Sequence, residues 1–388
     1  MQAEHLVVLH CFPVWLPQTQ TWMYNLVYSL PPDVESHIVC ERTENLDQFG
    51  LPNIHCLWEQ SRWRYLLDKG LRKLRLRHHL GFLVRQARRH GTQLLHSHFG
   101  NVGWRNLGAA KRAGIKHIVT FYGVDASRLP REDHRWYKRY QDLFDQVDLV
   151  LCEGPFMANS IVRMGCSEKK VRVHHLGVNV NEIEFRPREW KPISPLRVLM
   201  AASFREKKGI PYALEALGHL QRDVPLEVTI IGDANHESRS REEKQKILET
   251  IRQHSLTPKV RMLGYQPHSV LFEEAYRHHI FLSPSVIAKD GDTEGGAPVS
   301  IIEMVATGMP VVSTTHCDIP EIIKHSRTGL LAEERDVDGL VQHLQWFVLH
   351  SDEWSEMLAV GRRHIEKEYD VNVQAKKMAG IYHEVLRG

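Results

Sequence analysis

The stretch Ser283–Thr315, SPSVIAKDGDTEGGAPVSIIEMVATGMPVVSTT, constrains the fold most. An apolar run, Ile280–Leu282, leads into it and reads as a strand. A polar loop follows, carrying Asp290, Asp292 and Glu294 and closing on Gly295–Gly296. Pro298 stands where a first helical residue has no N–H to lose, so the pattern predicts a helix over about 298–307. Gly308 suits a left-handed end to that helix, and Pro310 cannot continue it. Val311–Ser313 then reads as the next strand. Two strands joined through a helix belong to a parallel sheet. The loop delivers carboxylates beside a helix start, where free N–H groups and partial positive charge suit a phosphate. Glycines admit a close ligand, and carboxylates accept hydrogen bonds from sugar hydroxyls. An ordinary crossover with a solvated acidic loop has the same local pattern.

The same strand–helix alternation runs twice along 388 residues, a length that allows two separate cores. The first run has strands expected at His5–Cys11, His37–Cys40, Gln93–His96, Ile118–Phe121 and Asp148–Cys152. In its first loop, Thr19 and Thr21 can cap a helix starting near Trp22. Residues 181–195 hold three prolines and mixed charge, the composition of a linker. The second run starts at Leu196–Met200. Ligands of parallel sheets bind beyond strand ends. His98, Tyr122 and Asp125 fall at such ends in the first run; strand-end and helix-capping roles fit His98 and Asp125 equally well. Arg205 and Lys208 follow the first strand of the second run, beside a helix expected from about Pro211. Cations there are placed to hold a diphosphate, with Lys207 left as surface charge.

Apolar residues make up 42% and charged residues 25%, as in soluble globular proteins. Six cysteines without a CxxC argue against a disulfide framework or a zinc site and fit a reducing cytosol. There are 25 histidines but no HExxH spacing, so His78–His79 and His278–His279 are expected at the surface. No run approaches the roughly 18 apolar residues of a membrane span. Leu6–Leu9 is too short for the apolar core of a signal peptide. The formal charge of +3 is unevenly spread: residues 62–90 carry ten Lys or Arg and one acid, which leaves the remainder acidic. Leu66, Leu67, Leu71, Leu74, Leu80, Phe82, Leu83 and Val84 are interleaved with these cations. A basic amphipathic segment can lie on an anionic bilayer, while no nucleic-acid motif accompanies it. A solvated helix face is the plain alternative.

TEGGAPVSIIEMVATGMPVVST resembles the donor-sugar signature of the retaining glycosyltransferases of family 4. The likeness spans nearly the whole chain and is greatest to bacterial exopolysaccharide enzymes of the colanic-acid type. It implies an α/β GT-B fold, with two Rossmann-like domains facing a central cleft. Residues 1–185 would bind the acceptor and 186–369 the nucleotide-diphosphate sugar, with 370–388 crossing back as a helix. Glu303 matches the glutamate that holds the ribose. Glu294, one residue off the usual spacing, would orient the donor sugar. Lys208 matches the lysine that stabilises the leaving diphosphate. Ser203 stands where an arginine is usual, and Arg205 lies two residues later. Ser203, Gly264, Tyr265, Gly295, Gly296, Ala297, Pro298, Val299 and Ser300 would line the nucleotide sugar. His98 and Asp125 would lie near the reacting sugar, with Tyr122 replacing a usual histidine.

The implied reaction is retaining transfer of a sugar to a glycan or lipid-linked acceptor. No metal or other cofactor is expected, because Asp290 and Asp292 have DxD spacing only as loop residues. A cytoplasmic location is implied, peripheral at the inner membrane face if 62–90 docks there. Another nucleotide-sugar enzyme on the same fold, an epimerase or phosphorylase, and a non-catalytic sugar-binding scaffold remain alternatives.

Overall fold

A computed structural model describes residues 5–17, 21–74, 76 and 80–388. The chain divides into two compact units: residues 1–179 with 370–388, and residues 180–369. The division therefore falls a few residues before the expected 185/186 cut.

Among the described residues, the first unit holds seven parallel strands in the order β3-β2-β1-β4-β5-β6-β7. They are β1 (Leu6–Trp15), β2 (Val34–Thr43), β3 (Ile54–Cys56), β4 (Leu94–His98), β5 (Lys116–Thr120), β6 (Leu149–Cys152) and β7 (Val171–Val173). Strand residues alternate between two buried faces, as parallel sheets covered on both sides require. On one face Leu9, Cys11, Val39 and Leu95 pack with Phe82, Leu83, Val84 and Ala109. On the other, Val8, Leu94 and Ile118 pack with Ala375, Met378 and Tyr382 of the closing helix Val371–Arg387. That helix thus belongs to the first unit. The crossing is tight: a Cβ on Gly177 would stand 2.7 Å from the Val371 Cα.

The second unit holds six strands in the order β10-β9-β8-β11-β12-β13. These are β8 (Leu196–Ala201), β9 (Leu226–Ile231), β10 (Val260–Gly264), β11 (Ile280–Ser283), β12 (Val311–Thr314) and β13 (Leu330–Ala332). Val198, Met200, Val228 and Ile230 form its core with Leu214, Leu217, Ile247, Leu344 and Trp354.

Several local expectations require correction. The helix after the glycine pair runs Val299–Ala306, so Pro298 is its cap residue and not its first turn. Gly308 does take the left-handed conformation, at φ +80°. Thr21 begins the first helix, while Thr19 lies outside the described residues. His278 and His279 are buried, not at the surface. His278 bonds the Glu274 carbonyl and the Thr229 hydroxyl, and His279 Nδ1 accepts the Arg197 N–H. His78 and His79 lie outside the described residues.

The segment read as a linker is strapped to the second unit. Arg188 is buried and donates to the carbonyls of Ala275, His278 and Thr307. These carbonyls end two helices, His268–Arg277 and Val299–Ala306, where a cation complements the helix dipoles. Burial lowers the Arg188 pKa to about 10, still charged at neutral pH.

The basic stretch forms two helices with opposite fates. Gly81–Arg89 is a core helix, which buries Phe82, Leu83 and Val84. Arg62–Lys73 buries only Tyr65 and Asp68. It leaves Trp63 75% exposed, and Leu66, Leu67, Leu74 and Leu76 are exposed with it. Arg75 and Arg77 lie outside the described residues. None of the six cysteines is in a disulfide. Among the described residues, no helix is long and apolar enough to cross a membrane.

Candidate active site

The loop after β8 and the loop after β11 interlock in the second unit. A short turn, Glu206–Lys208, presents Lys207 and Lys208. Gly209 closes that turn at φ +63° against the Pro284 carbonyl, where a Cβ would stand 1.8 Å from the oxygen. Only glycine fits both constraints. The Lys208 ammonium donates to both Glu294 carboxylate oxygens, at 2.9 and 2.8 Å. Ser285 donates its hydroxyl to the same carboxylate at 2.8 Å.

The Glu294 side chain is 7% exposed. Burial pushes its pKa up, but Lys208, Lys207 and the Ser285 hydroxyl outweigh burial and hold it at about 2. Its backbone N–H donates to His316 Nε2 at 3.1 Å, and His316 Nδ1 meets Glu334 at 2.6 Å. Glu294, one position off its expected spacing, therefore still reaches the cation.

Lys207 is not surface charge: it is buried and donates to Asp292 at 3.3 Å and to the Thr293 carbonyl at 2.7 Å. Arg205 reaches Glu237 at 3.4 Å and Asp292 at 3.8 Å. Asp290 is paired with Arg239 and accepts the Asp292 N–H. The two DxD-spaced aspartates are thus engaged with cations of the chain itself.

The helix Val299–Ala306 starts with no side-chain cap and no acid in its first turn. Gly295, at φ +80°, and Gly296 are buried just before it. Ala297, Pro298, Val299 and Ser300 are half-buried along the approach. Within the helix, Glu303 is buried and meets His268 Nε2 at 2.8 Å. That contact raises the His268 pKa. Gly264 ends β10 at φ +69°, bridges to Gly232, and is followed by the exposed Tyr265. Ser203 is half-buried after β8.

His98 and Asp125 belong to the first unit and are fully interior. His98 is 0% exposed, with Nε2 on His10 at 3.2 Å and Nδ1 on the Tyr122 hydroxyl at 2.8 Å. Asp125 takes backbone hydrogen bonds from Gly100, Tyr122 and Asn101, at the start of helix Gly100–Ala113. Burial pushes its carboxyl up to about 7. His98 thus ends its strand with both ring nitrogens engaged, and Asp125 caps the helix start, contacts that fit the structural roles weighed for them.

Lys207, His268, Ser285 and His316 escaped the sequence reading. Lys207, Ser285 and His316 lie within or next to the motif stretches but carry no local signal of their contacts, and His268 is separated from them by whole elements. A cavity of about 560 Å³ lined by Ser326, Arg327, Trp346 and Glu353 lies in the same unit. It contains none of these groups, so the chemistry and not this hollow marks the site.

Two family models match the chain, Glycosyl transferases group 1 over residues 182–375 and Glycosyltransferase Family 4 over 19–182. The chain belongs to the group 1 glycosyltransferases. Among relatives, a candidate colanic acid biosynthesis glycosyltransferase of Escherichia coli (strain K12), WcaL, is 33% identical over 74% of this chain and 69% of its own. The amylovoran biosynthesis glycosyltransferase AmsK of Erwinia amylovora is 32% identical over 73% and 68%. Among solved structures, a glycosyltransferase of Rickettsia africae ESF-5 superposes with a TM-score of 0.76 at 17% identity, covering 99% of each chain. Anabaena HepE in complex with UDP and glucose gives 0.76 at 14% identity, over 98% of this chain and 100% of that one. These likenesses and the two parallel sheets establish the GT-B fold. The matched segment 182–375 contains the whole Lys208–Glu294–Glu303 constellation of this glycosyltransferase.

Proposed function

We propose that this glycosyltransferase moves a sugar, with retention, from a nucleotide-diphosphate sugar to a glycan or lipid-linked acceptor in exopolysaccharide synthesis. The 180–369 unit would hold the donor and the first unit the acceptor. The observation that carries this reading is the Lys208–Glu294 pair in the loops leading to an uncapped helix start. Without donor, Glu294 neutralises Lys208. A bound diphosphate would take over the ammonium and the free N–H groups of that helix start, leaving Glu294 to accept hydrogen bonds from the sugar. Arg205, 25% exposed and held by long contacts, would turn toward the departing phosphate. Glu303 would exchange His268 for ribose hydroxyls. The exopolysaccharide names of WcaL and AmsK and the UDP complexes of HepE support the substrate class.

Donor chemistry would proceed on protein cations without Mg²⁺ or Mn²⁺, since Lys207, Arg205 and Arg239 already occupy Asp290 and Asp292. The membrane reading also narrows. The exposed apolar side chains and cations of helix Arg62–Lys73 would rest on an anionic bilayer, while Gly81–Arg89 is committed to the core. Arg72 is committed as well, through a two-pronged pair with Glu41 at 2.7 and 2.8 Å.

The test is turnover with a panel of UDP- and GDP-sugars and an extracted lipid-linked acceptor, with product stereochemistry read by NMR. Lys208→Ala should lower kcat about 100-fold or more, the scale of losing one preorganised donor. Glu303→Ala should chiefly weaken donor affinity. Activity that EDTA abolishes and Mg²⁺ or Mn²⁺ restores, or inversion at the anomeric carbon, would overturn the reading.

A further inference from the structure

Among the described residues, two groupings of side chains are spaced to hold a metal ion, and both are histidine trios in the first unit. His10, His96 and His98 form a closed network. Each ring nitrogen has a partner: His10 with His98 and Ser36, His96 with Tyr382 and Thr120, and His98 also with Tyr122. That trio needs nothing further.

His37, His55 and His90 differ. His37 is buried on β2 and His55 sits on the edge strand β3, while His90 ends the helix Gly81–Arg89. One imidazole nitrogen from each lies within 4.8 Å of the others. His37 Nδ1 and His55 Nε2 are 3.0 Å apart. His37 Nε2 meets a Glu35 carboxylate oxygen at 2.8 Å, which makes this nitrogen the N–H and turns the Nδ1 lone pair toward His55. A carboxylate on the far nitrogen is the usual outer support of a metal-bound histidine. His90 Nε2 is buried without a hydrogen-bond partner. A buried polar atom of this kind calls for a water or an ion.

We propose that His37, His55 and His90 bind one borderline divalent cation of the Zn²⁺ class, clamping the edge strand β3 to β2 and to the end of helix Gly81–Arg89. Imidazole donors select such ions over Mg²⁺ or Ca²⁺, which prefer oxygen. Zinc–nitrogen bonds of about 2.0–2.1 Å bring tetrahedral ligands to about 3.4 Å from one another. The pair on the strands is already near that spacing. His90, half-buried at a helix end, closes the rest by tilting out of its ring contact with His37, whose centroid is 4.0 Å away. Solvent supplies the fourth ligand. The clamp lies in the unit that lacks the Lys208 site, so it stands independently of the donor chemistry above.

The experiment uses tag-free full-length protein, stripped with EDTA and desalted, titrated with Zn²⁺ by calorimetry and followed by thermal melting. The expected result is one equivalent bound with a raised Tm, and no rise with Mg²⁺. Glu35→Gln should weaken binding roughly 10–100-fold, the scale of an outer-sphere change. His90→Ala should weaken it further while leaving the far-ultraviolet circular dichroism unchanged; His55→Ala is the second ligand variant. Failure of the wild type to bind one equivalent would overturn the proposal. Equal Zn²⁺ binding by wild type and His90→Ala would also overturn it, since the ion would then be held adventitiously by other histidines.

Discussion

Glu294 shows how one carboxylate is held ionised in a buried site. Burial alone would favour its neutral form; two lysines reverse that and depress the pKa to about 2. The folded pKa lies below the unfolded one, so the pair's contribution is complete above about pH 4.5 and is lost as pH falls toward 2. Glu294→Gln removes this dependence. Urea unfolding should show wild type more stable than the variant at pH 6, and the gap should narrow by about 1.4 kcal/mol at pH 3.5. Equal gaps at both pH values would mean that the pair is looser than the geometry indicates. Lys208→Ala has a different consequence, because it leaves Lys207 as the remaining cation near this carboxylate at 4.0 Å.

At the scale of elements, the strap 185–188 decides how two helices end. Arg188 gives its donors to three carbonyls at these helix ends. Two of them also accept a backbone N–H, Ala275 from His278 and Thr307 from Arg186. Gly308 makes room for the strap: a Cβ there would stand 2.9 Å from the Phe185 ring and 3.0 Å from Pro187 backbone. Arg188→Ala takes the guanidinium from the His278 carbonyl and the charged second donor from Ala275 and Thr307, at about 1–3 kcal/mol in all when no water enters. Chemical denaturation should show a loss in that range, with little change in the donor affinity of molecules that remain folded. A loss within 0.5 kcal/mol would mean that water replaces the guanidinium freely. Helix Val299–Ala306 lies between this strap and the glycine pair, so the donor loop is braced at its far end as well.

At the scale of the molecule, charge and exposed apolar surface coincide on one helix. Arg62, Arg64, Lys69 and Lys73 are exposed on it together with Trp63, Leu66 and Leu67. Each cation near an anionic leaflet contributes roughly 1 kcal/mol, so reversing Arg64, Lys69 and Lys73 to Glu should weaken vesicle binding at least about 100-fold. Nucleotide affinity should be unchanged, and Arg72 is left alone to keep its Glu41 pair. Sedimentation with vesicles of graded anionic content, at low and physiological salt, measures this. Equal binding to neutral and anionic vesicles, or none to either, would return the helix to a solvated face.

The sequence by itself determined the two runs of strand and helix, because buried parallel strands are apolar throughout and glycine and proline mark their turns. It also marked Lys208 and Glu294 as site candidates, beside a strand end and a helix start, and Glu303 through the resemblance of its motif to the family's donor-sugar signature. The fold alone decided which groups meet across distant elements. Lys207 reads as surface charge until the β11 loop covers it. His268 has no signal until two helices bring it to Glu303. His37, His55 and His90 have no common spacing, and only β2, β3 and one helix end gather them. His98 stands at a strand end in the sequence, yet the closing of its core carries both ring nitrogens inside. Local sequence sets φ, ψ and periodicity, whereas burial and partnership are set by chain segments tens to hundreds of residues away.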